Sequence, residues 1–172
     1  DSDLYRTMHP GSSLKERLTH IREMERIGYF VATGSLVGLP GQTAESLVDD
    51  LYLIRDLNPM MATMGPFIPS KRTPLGKEPP GSVETTLRMI ALLRLIYPKV
   101  RIPITTALEK LGGPNVRSQA LTGGGNAFML NLTPPDVRMH YEIYDDKNSA
   151  ASHLHNEGSV RSLTELIELH GR

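Results

Sequence analysis

The 172-residue chain contains no cysteine. That absence excludes disulfides, thiolate metal ligands and a cysteine nucleophile within the chain. Neither sign of charge is in excess, since 19 Lys+Arg balance 19 Asp+Glu. A polyanion or an anionic membrane surface therefore finds no net charge to attract it. No apolar run approaches the ~20 residues that a membrane span needs. The opening DSDLYRTMHP lacks both the basic start and the apolar stretch of a secretory signal. Cytoplasm is the expected location, with nucleic acid and membrane excluded as expected partners. What the chain does have is punctuation. Its 13 prolines and 15 glycines are spread along the sequence, which predicts many turns rather than disorder.

A helical pattern and a strand pattern alternate every 30 to 40 residues or so, about the size of a βα unit. SSLKERLTHIREMERIG reads as a helix. Ser13 and Glu16 have the spacing of a capping box, Leu14, Leu18, Ile21 and Met24 form an apolar stripe, and Gly28 supplies the stop. YFVATGSLVGL reads as a buried strand. Thr43 caps the next helix, in which Leu47, Leu51 and Ile54 recur. MMATMGPFI is the second strand, and SVETTLRMIALLRLIYP is a helix opening at Ser82 and closing at Pro98. VRIPITTAL is the third strand, weakened by Pro103, which removes a ladder donor. A loop or short helix follows, then GGGNAFMLNL as the fourth strand. Thr133-Pro134 opens a further helix, and SLTELIELHG closes the chain with Ser162 and Glu165 as another capping box.

This alternation predicts parallel strands with right-handed crossovers. Four strands are too few for a closed barrel, which typically uses eight. Two architectures satisfy the pattern: one half of a longer α/β barrel, or a complete small four-stranded domain.

In either, ligands bind at the carboxyl ends of the strands. Those ends are Leu36–Gly38, Phe67-Ile68, Thr105-Thr106 and the stretch from Met129 to Asn131. GLPGQT, where the first strand stops, demands either a tight turn or a backbone brought close to a ligand. Arg17 falls in the first turns of its helix, where the dipole disfavours a cation. It serves either a carboxylate ligand or an ordinary surface ion pair. Thr105-Thr106, read as strand, puts one hydroxyl on each face. Met60, Met61, Met64 and Met129 are core side chains or soft cavity linings. GLPGQT lacks the Lys-Ser/Thr of a phosphate-binding loop, and LTGGGNAF precedes a strand instead of opening a helix. His153 and His155 have no third metal ligand nearby. No catalytic residue and no metal ligand is assigned.

The runs GSLVGLPGQT, LVDDL, MGPFIPSKRTPL, IPITTAL, NLTPP and YEIY keep nearly constant spacing from Leu4 to Tyr144. Together they resemble the HydE family, the radical SAM maturases of FeFe-hydrogenase. Biotin synthase and methylornithine synthase are sister families that share the GLPGQT-like turn more loosely. The resemblance implies a TIM-type (β/α) barrel holding a 4Fe–4S cluster on a CxxxCxxC loop. This chain has no such loop, and its opening resembles the segment after the family's fourth strand. The implied fold is thus α/β, a partial TIM-type barrel of about four parallel strands with outer helices, the C-terminal half of a radical SAM barrel. Residues 1–145 would be that half-barrel and 146–172 a tail.

The resemblance further implies S-adenosylmethionine as cofactor, with the 4Fe–4S cluster ligated outside this chain. Arg17 would meet the cofactor's carboxylate. Leu36, Gly38 and Ile68 would help hold it, and Ile143 and Tyr144 would close the region. Met61, Thr105, Thr106 and Met129 match positions lining a cavity for anions and substrate. In the family a 5′-deoxyadenosyl radical acts on a sulfur-containing iron precursor. The implied partners are a small-molecule or iron-complex substrate, hydrogenase maturation proteins and the missing N-terminal half. There are departures: DDKNSAASHLHNEG has no thiol for an additional iron–sulfur site, and Leu132 replaces an aromatic in the NWTP-like stretch. Two alternatives remain. One is another biotin synthase-like radical SAM enzyme; the other is a non-catalytic fragment acting as a binding module through unpaired strand edges.

Overall fold

The computed structural model describes residues 1–113 and 115–129, together with 137, 164, 165 and 167–169. Two helices open the chain, α1 (Ser2–Met8) and α2 (Leu14–Arg26). Then come β1 (Ala32–Val37), α3 (Ala44–Leu57), β2 (Met61–Pro66) and α4 (Val83–Ile96). The series ends with β3 (Pro103–Ile104), α5 (Thr106–Gly112), α6 (Val116–Thr122) and β4 (Ala127–Phe128). The expected helices at Thr133-Pro134 and Ser162 lie outside the described residues or at their margin, as do Ile143, Tyr144 and the proposed boundary at 145.

Caps set these boundaries. Ser13 Oγ accepts from the Glu16 amide while Glu16 Oε2 accepts from the Ser13 amide, which is the capping box. Donation first from the Ser13 hydroxyl and then from its amide holds the Glu16 carboxyl below the usual carboxylate range. Thr43 and Ser82 cap α3 and α4 through Ser46 N and Thr85 N. Asp1 caps α1 by accepting from Asp3 N and Leu4 N, a helix that the sequence reading did not anticipate.

The strands are parallel. β1 pairs with β2 over six residues, from Ala32 opposite Met61 to Val37 opposite Pro66. β3 pairs with β4, Pro103 opposite Ala127 and Ile104 opposite Phe128. A single parallel bridge between Met61 and Arg101 joins the two pairs, with Ala62 N donating to Arg101 O at 2.9 Å. Asn126 extends the second pair, since its Oδ1 accepts from Ile102 N at 2.7 Å. The order across the described strands is therefore β1, β2, β3, β4.

One face of these strands carries the core. Ala62, Met64, Ile102 and Ile104 pack with Leu51, Ile54, Met89, Ile90 and Leu93 of α3 and α4. Leu108, Val116 and Ala120 of α5 and α6 complete the cluster. Full burial of each larger apolar side chain contributes about 1.5–3 kcal/mol relative to exposure. Arg117 and Glu109 tie α5 to α6 as a nearly buried ion pair, Nε to Oε1 at 2.6 Å.

Three expectations are corrected. The third strand does not run through Thr105-Thr106. Thr105 is the N-cap of α5, accepting from Leu108 N at 3.2 Å, and Thr106 is already helical. Hydroxyl capping and a proline at the strand's start shorten β3 to two residues. The first strand begins at Ala32, leaving Tyr29 and Phe30 exposed at 65% and 83%. The stripe of α2 buries only Ile21, with Met24 exposed, because nothing among the described residues covers that side.

Candidate functional site

Parallel sheets are ordinarily covered on both faces. Here only one is. Along β1, Ala32, Gly34 and Leu36 are exposed, while Thr33 and Ser35 are half-buried and Val37 is buried. The register sets Ala32, Gly34 and Leu36 level with Met61, Thr63 and Gly65 on the same face. The Met61–Arg101 bridge carries that face onward to Pro103 and Thr105, and a Cβ on Gly65 would lie 3.3 Å from Thr105 Oγ1. Pro103 lies opposite Ala127, and Met129, two residues further, is 57% exposed. Leu36, Met61, Thr105 and Met129 thus share one face, but Met61 lies level with Ala32 at the amino ends of the strands, and the face is open at Leu36 and Met129 while Gly65, Pro103 and Thr105 are buried.

That face is poor in large apolar groups. Alanine, glycine, threonine, proline and one arginine separate its leucine and methionines. Such a composition suits the lining of a cavity better than a packed core. An open cleft of about 770 Å³ runs along the edge of β1, reaching this face at Gly34 and Leu36 and the α3 side at Ser35, Asp50 and Ile54. α1 and α2 contribute Leu4, Tyr5, Met8, His9, Arg17 and Leu18 to its wall; β1 and its turn contribute Leu36, Leu39 and Gln42. Thr63, Gly65 and Thr105 reach it from the neighbouring strands. Its size falls within the range of pockets for small molecules.

Arg17 is exposed on the wall of this cleft. Among the described residues it makes no hydrogen bond or ion pair, because Glu16 is committed to Ser13. A cation in the first turn of α2 opposes the helix dipole, and no partner among the described residues offsets its cost of up to about 1 kcal/mol. Thr105 is 8% exposed; its oxygen is used by Leu108 N, and its proton remains available for donation. Behind β1, Ser35 Oγ donates to Asp50, and Ser46 Oγ donates to Asp1 Oδ2 at 2.9 Å.

The remaining assignments differ in placement. Gly38 and Ile68 lie at the carboxyl ends of β1 and β2, the same rim as Thr105, but do not line the cleft. Thr106 is half-buried in the first turn of α5. Gly38 has φ +90°, which favours glycine, and a Cβ there would collide with the Cα of Gly81. The space that Gly38 leaves is thus filled by another backbone, so a bulky substitution there reports packing before it reports ligand. Gly41, at φ +81°, follows Pro40, and Gln42 N donates to Leu39 O at 3.0 Å, which closes a type II turn.

Sequence reading missed Gln42. Its side chain accepts from Gly38 N at 2.7 Å and donates to Leu36 O at 2.9 Å. The signal was a long amide side chain placed one residue after a Pro-Gly turn. Among the described residues, no group of three His, Cys, Asp or Glu could hold a metal. No described helix is long and apolar enough to cross a membrane.

No protein-family model matches the chain. Individual relatives do. The chain is 37% identical over 169 residues, 98% of its length, to the FeFe hydrogenase maturase subunit HydE of Thermotoga maritima. It is 32% identical over 139 residues to 3-methylornithine synthase of Methanosarcina acetivorans, covering 81% of this chain and 38% of that one. The crystal structure of methylornithine synthase (PylB) superposes with a TM-score of 0.75 at 28% identity, over 95% of this chain. The chain spans about half the length of these longer relatives, 48% of HydE and 47% of the methylornithine synthase structure. The resemblance to HydE and its radical SAM relatives is therefore shown across nearly all of this sequence.

Proposed function

We propose, taking that kinship as the premise, that this chain is the C-terminal half of a radical SAM enzyme of the HydE type, its four strands forming one side of the barrel. The observation that carries the reading is the cleft along β1, where Leu36, Thr105 and an Arg17 uncommitted among the described residues meet.

S-adenosylmethionine fits what is present. The Arg17 guanidinium offers a forked donor for its carboxylate. Leu36 and Leu39 offer an apolar wall for its nucleoside. Thr105, Met61 and Met129 line the path that a substrate would take along the sheet, where the Thr105 hydroxyl can donate to an anionic group. Ile143 and Tyr144, which lie outside the described residues, would close the same region. A 4Fe–4S cluster does not fit, because a chain without cysteine supplies no thiolate. Its ligands must come from another segment, and none of the steps assigned to these residues runs through it. When bound, S-adenosylmethionine supplies the reactive sulfonium; this chain orients it and excludes water. The substrate is a small molecule or an iron complex, and hydrogenase maturation proteins are the partners the reading supplies.

A binding module without catalysis is the second reading. The free edge of β1 and exposed Tyr29 and Phe30 favour it, since they present a surface that another strand would cover. An Arg17→Ala variant tests the first reading. Its affinity for S-adenosylmethionine, by equilibrium dialysis, should fall roughly 10- to 100-fold, the worth of one charged hydrogen-bonded pair. Binding of the decarboxylated analogue should stay within twofold. Equal losses for both ligands would contradict a role at the carboxylate.

A further inference from the structure

Val31 O and Val37 O accept from Met60 N and Phe67 N of the β2 segment. Peptide groups alternate in direction along a strand, so those of Ala32, Gly34, Leu36 and Gly38 point the other way, to the free edge of β1. At Leu36 and Gly38 that edge is not open. The Gln42 amide donates to Leu36 O and accepts from Gly38 N, with Leu39 N a more distant second donor at 3.4 Å. A parallel neighbouring strand would present the same pair of bonds: one peptide N–H to residue i and one C=O to residue i+2. Gln42 thus imitates the N–H and C=O of one residue of a neighbouring strand.

We infer that Gln42 is a positioning residue that ends strand pairing on the free edge of β1 at Gly34 and holds the Leu36–Leu39 rim rigid as the wall for the nucleoside of the ligand. The ligand part of this inference rests on the function proposed above. The edge part does not. A strand added beside β1 finds free partners at Ala32 and Gly34, but at Leu36 it must displace a side-chain amide. The rim stays clear of backbone at the level where Leu36 and Leu39 line the cleft. A residue contributing only to folding would weaken every ligand alike; a rim clamp weakens the nucleoside end alone.

The test uses the full 172-residue chain with Gln42→Ala and Gln42→Glu. Glu keeps the acceptor for Gly38 N and loses the donor to Leu36 O. Amide hydrogen exchange at Gly38 should be at least about tenfold faster in the alanine variant and within about threefold of the parent in the glutamate variant. Exchange at the core amides of Ala62 and Met64 should be unchanged in both. Affinity for 5′-methylthioadenosine should fall about tenfold in Gln42→Ala, while that for free methionine stays within twofold. Unchanged exchange at Gly38 would overturn the clamp, as would faster exchange at every core amide. Faster exchange with undiminished 5′-methylthioadenosine binding would overturn its link to the ligand. A parent chain that binds neither S-adenosylmethionine nor 5′-methylthioadenosine would refute the cofactor reading instead, and the exchange result alone would then decide the clamp.

Discussion

An alanine at Gly81 is expected to destabilise the protein by about 2–4 kcal/mol, the sum of an overpacked backbone and a strained hydrogen bond. The added Cβ would sit against Val37 O and 2.8 Å from Phe67 N. Those two groups are bonded to each other at 2.8 Å, and Gly81 N itself donates to Phe67 O at 2.8 Å. The loop after β2 thus returns to lay one glycine over the end of β1, where it also meets Gly38. Backbone, not a flexible side chain, surrounds the site, so the clash cannot be relieved by a rotamer change. Gly41 makes the contrast. Its Cβ would meet nothing within 4 Å, and only its positive φ resists substitution, at about 1–2 kcal/mol. Urea unfolding of the two alanine variants measures the difference. A Gly81→Ala midpoint equal to the parent's would show that the loop does not seat on β1 as described.

The second expectation is all-or-none. Reconstituted anaerobically with iron and sulfide, this chain alone should release no 5′-deoxyadenosine from S-adenosylmethionine. Mixed with a cluster-bearing half, such as the part of a HydE relative that this chain does not match, it should do so above the rate of that half alone. The reason is chemical: no residue here offers a thiolate. The reason for complementation is architectural: on the proposed reading, the edge of β1 and the cleft along it are surfaces that a partner half would cover. Product from the chain by itself would refute the division of labour proposed for the two halves.

Much of the fold was legible because its signals are local. Ser13, Thr43 and Ser82 each accept from the amide three residues on, so their identity sets the helix start without knowledge of the tertiary structure. The parallel strands followed from the alternation of patterns. Thr105 misled because threonine serves strands and caps equally well, and the choice between them was made by burial of Ala107 and Leu108 against the core. The helix α1 was missed because seven residues carry too little periodicity, although Asp1 is an ordinary cap.

For the site, candidates were legible in the sequence, but only the strand register arranged them. Leu36, Met61 and Thr105 were separate positions until β1, β2 and β3 were aligned. The exposure of that face, and the role of Gln42, depend on which neighbours are missing, and no local pattern records an absence.

The central claim is that one rim, at the carboxyl ends of four parallel strands, holds S-adenosylmethionine. Amide and arginine-side-chain chemical shifts during titration with that compound test it most directly. Changes confined to Arg17, Leu36, Gly38, Leu39 and Thr105, with Ile90, Leu93 and Val116 silent, are the expected result. Saturable changes centred on the helix-covered side of the sheet, with Arg17 and Leu36 unmoved, would contradict it.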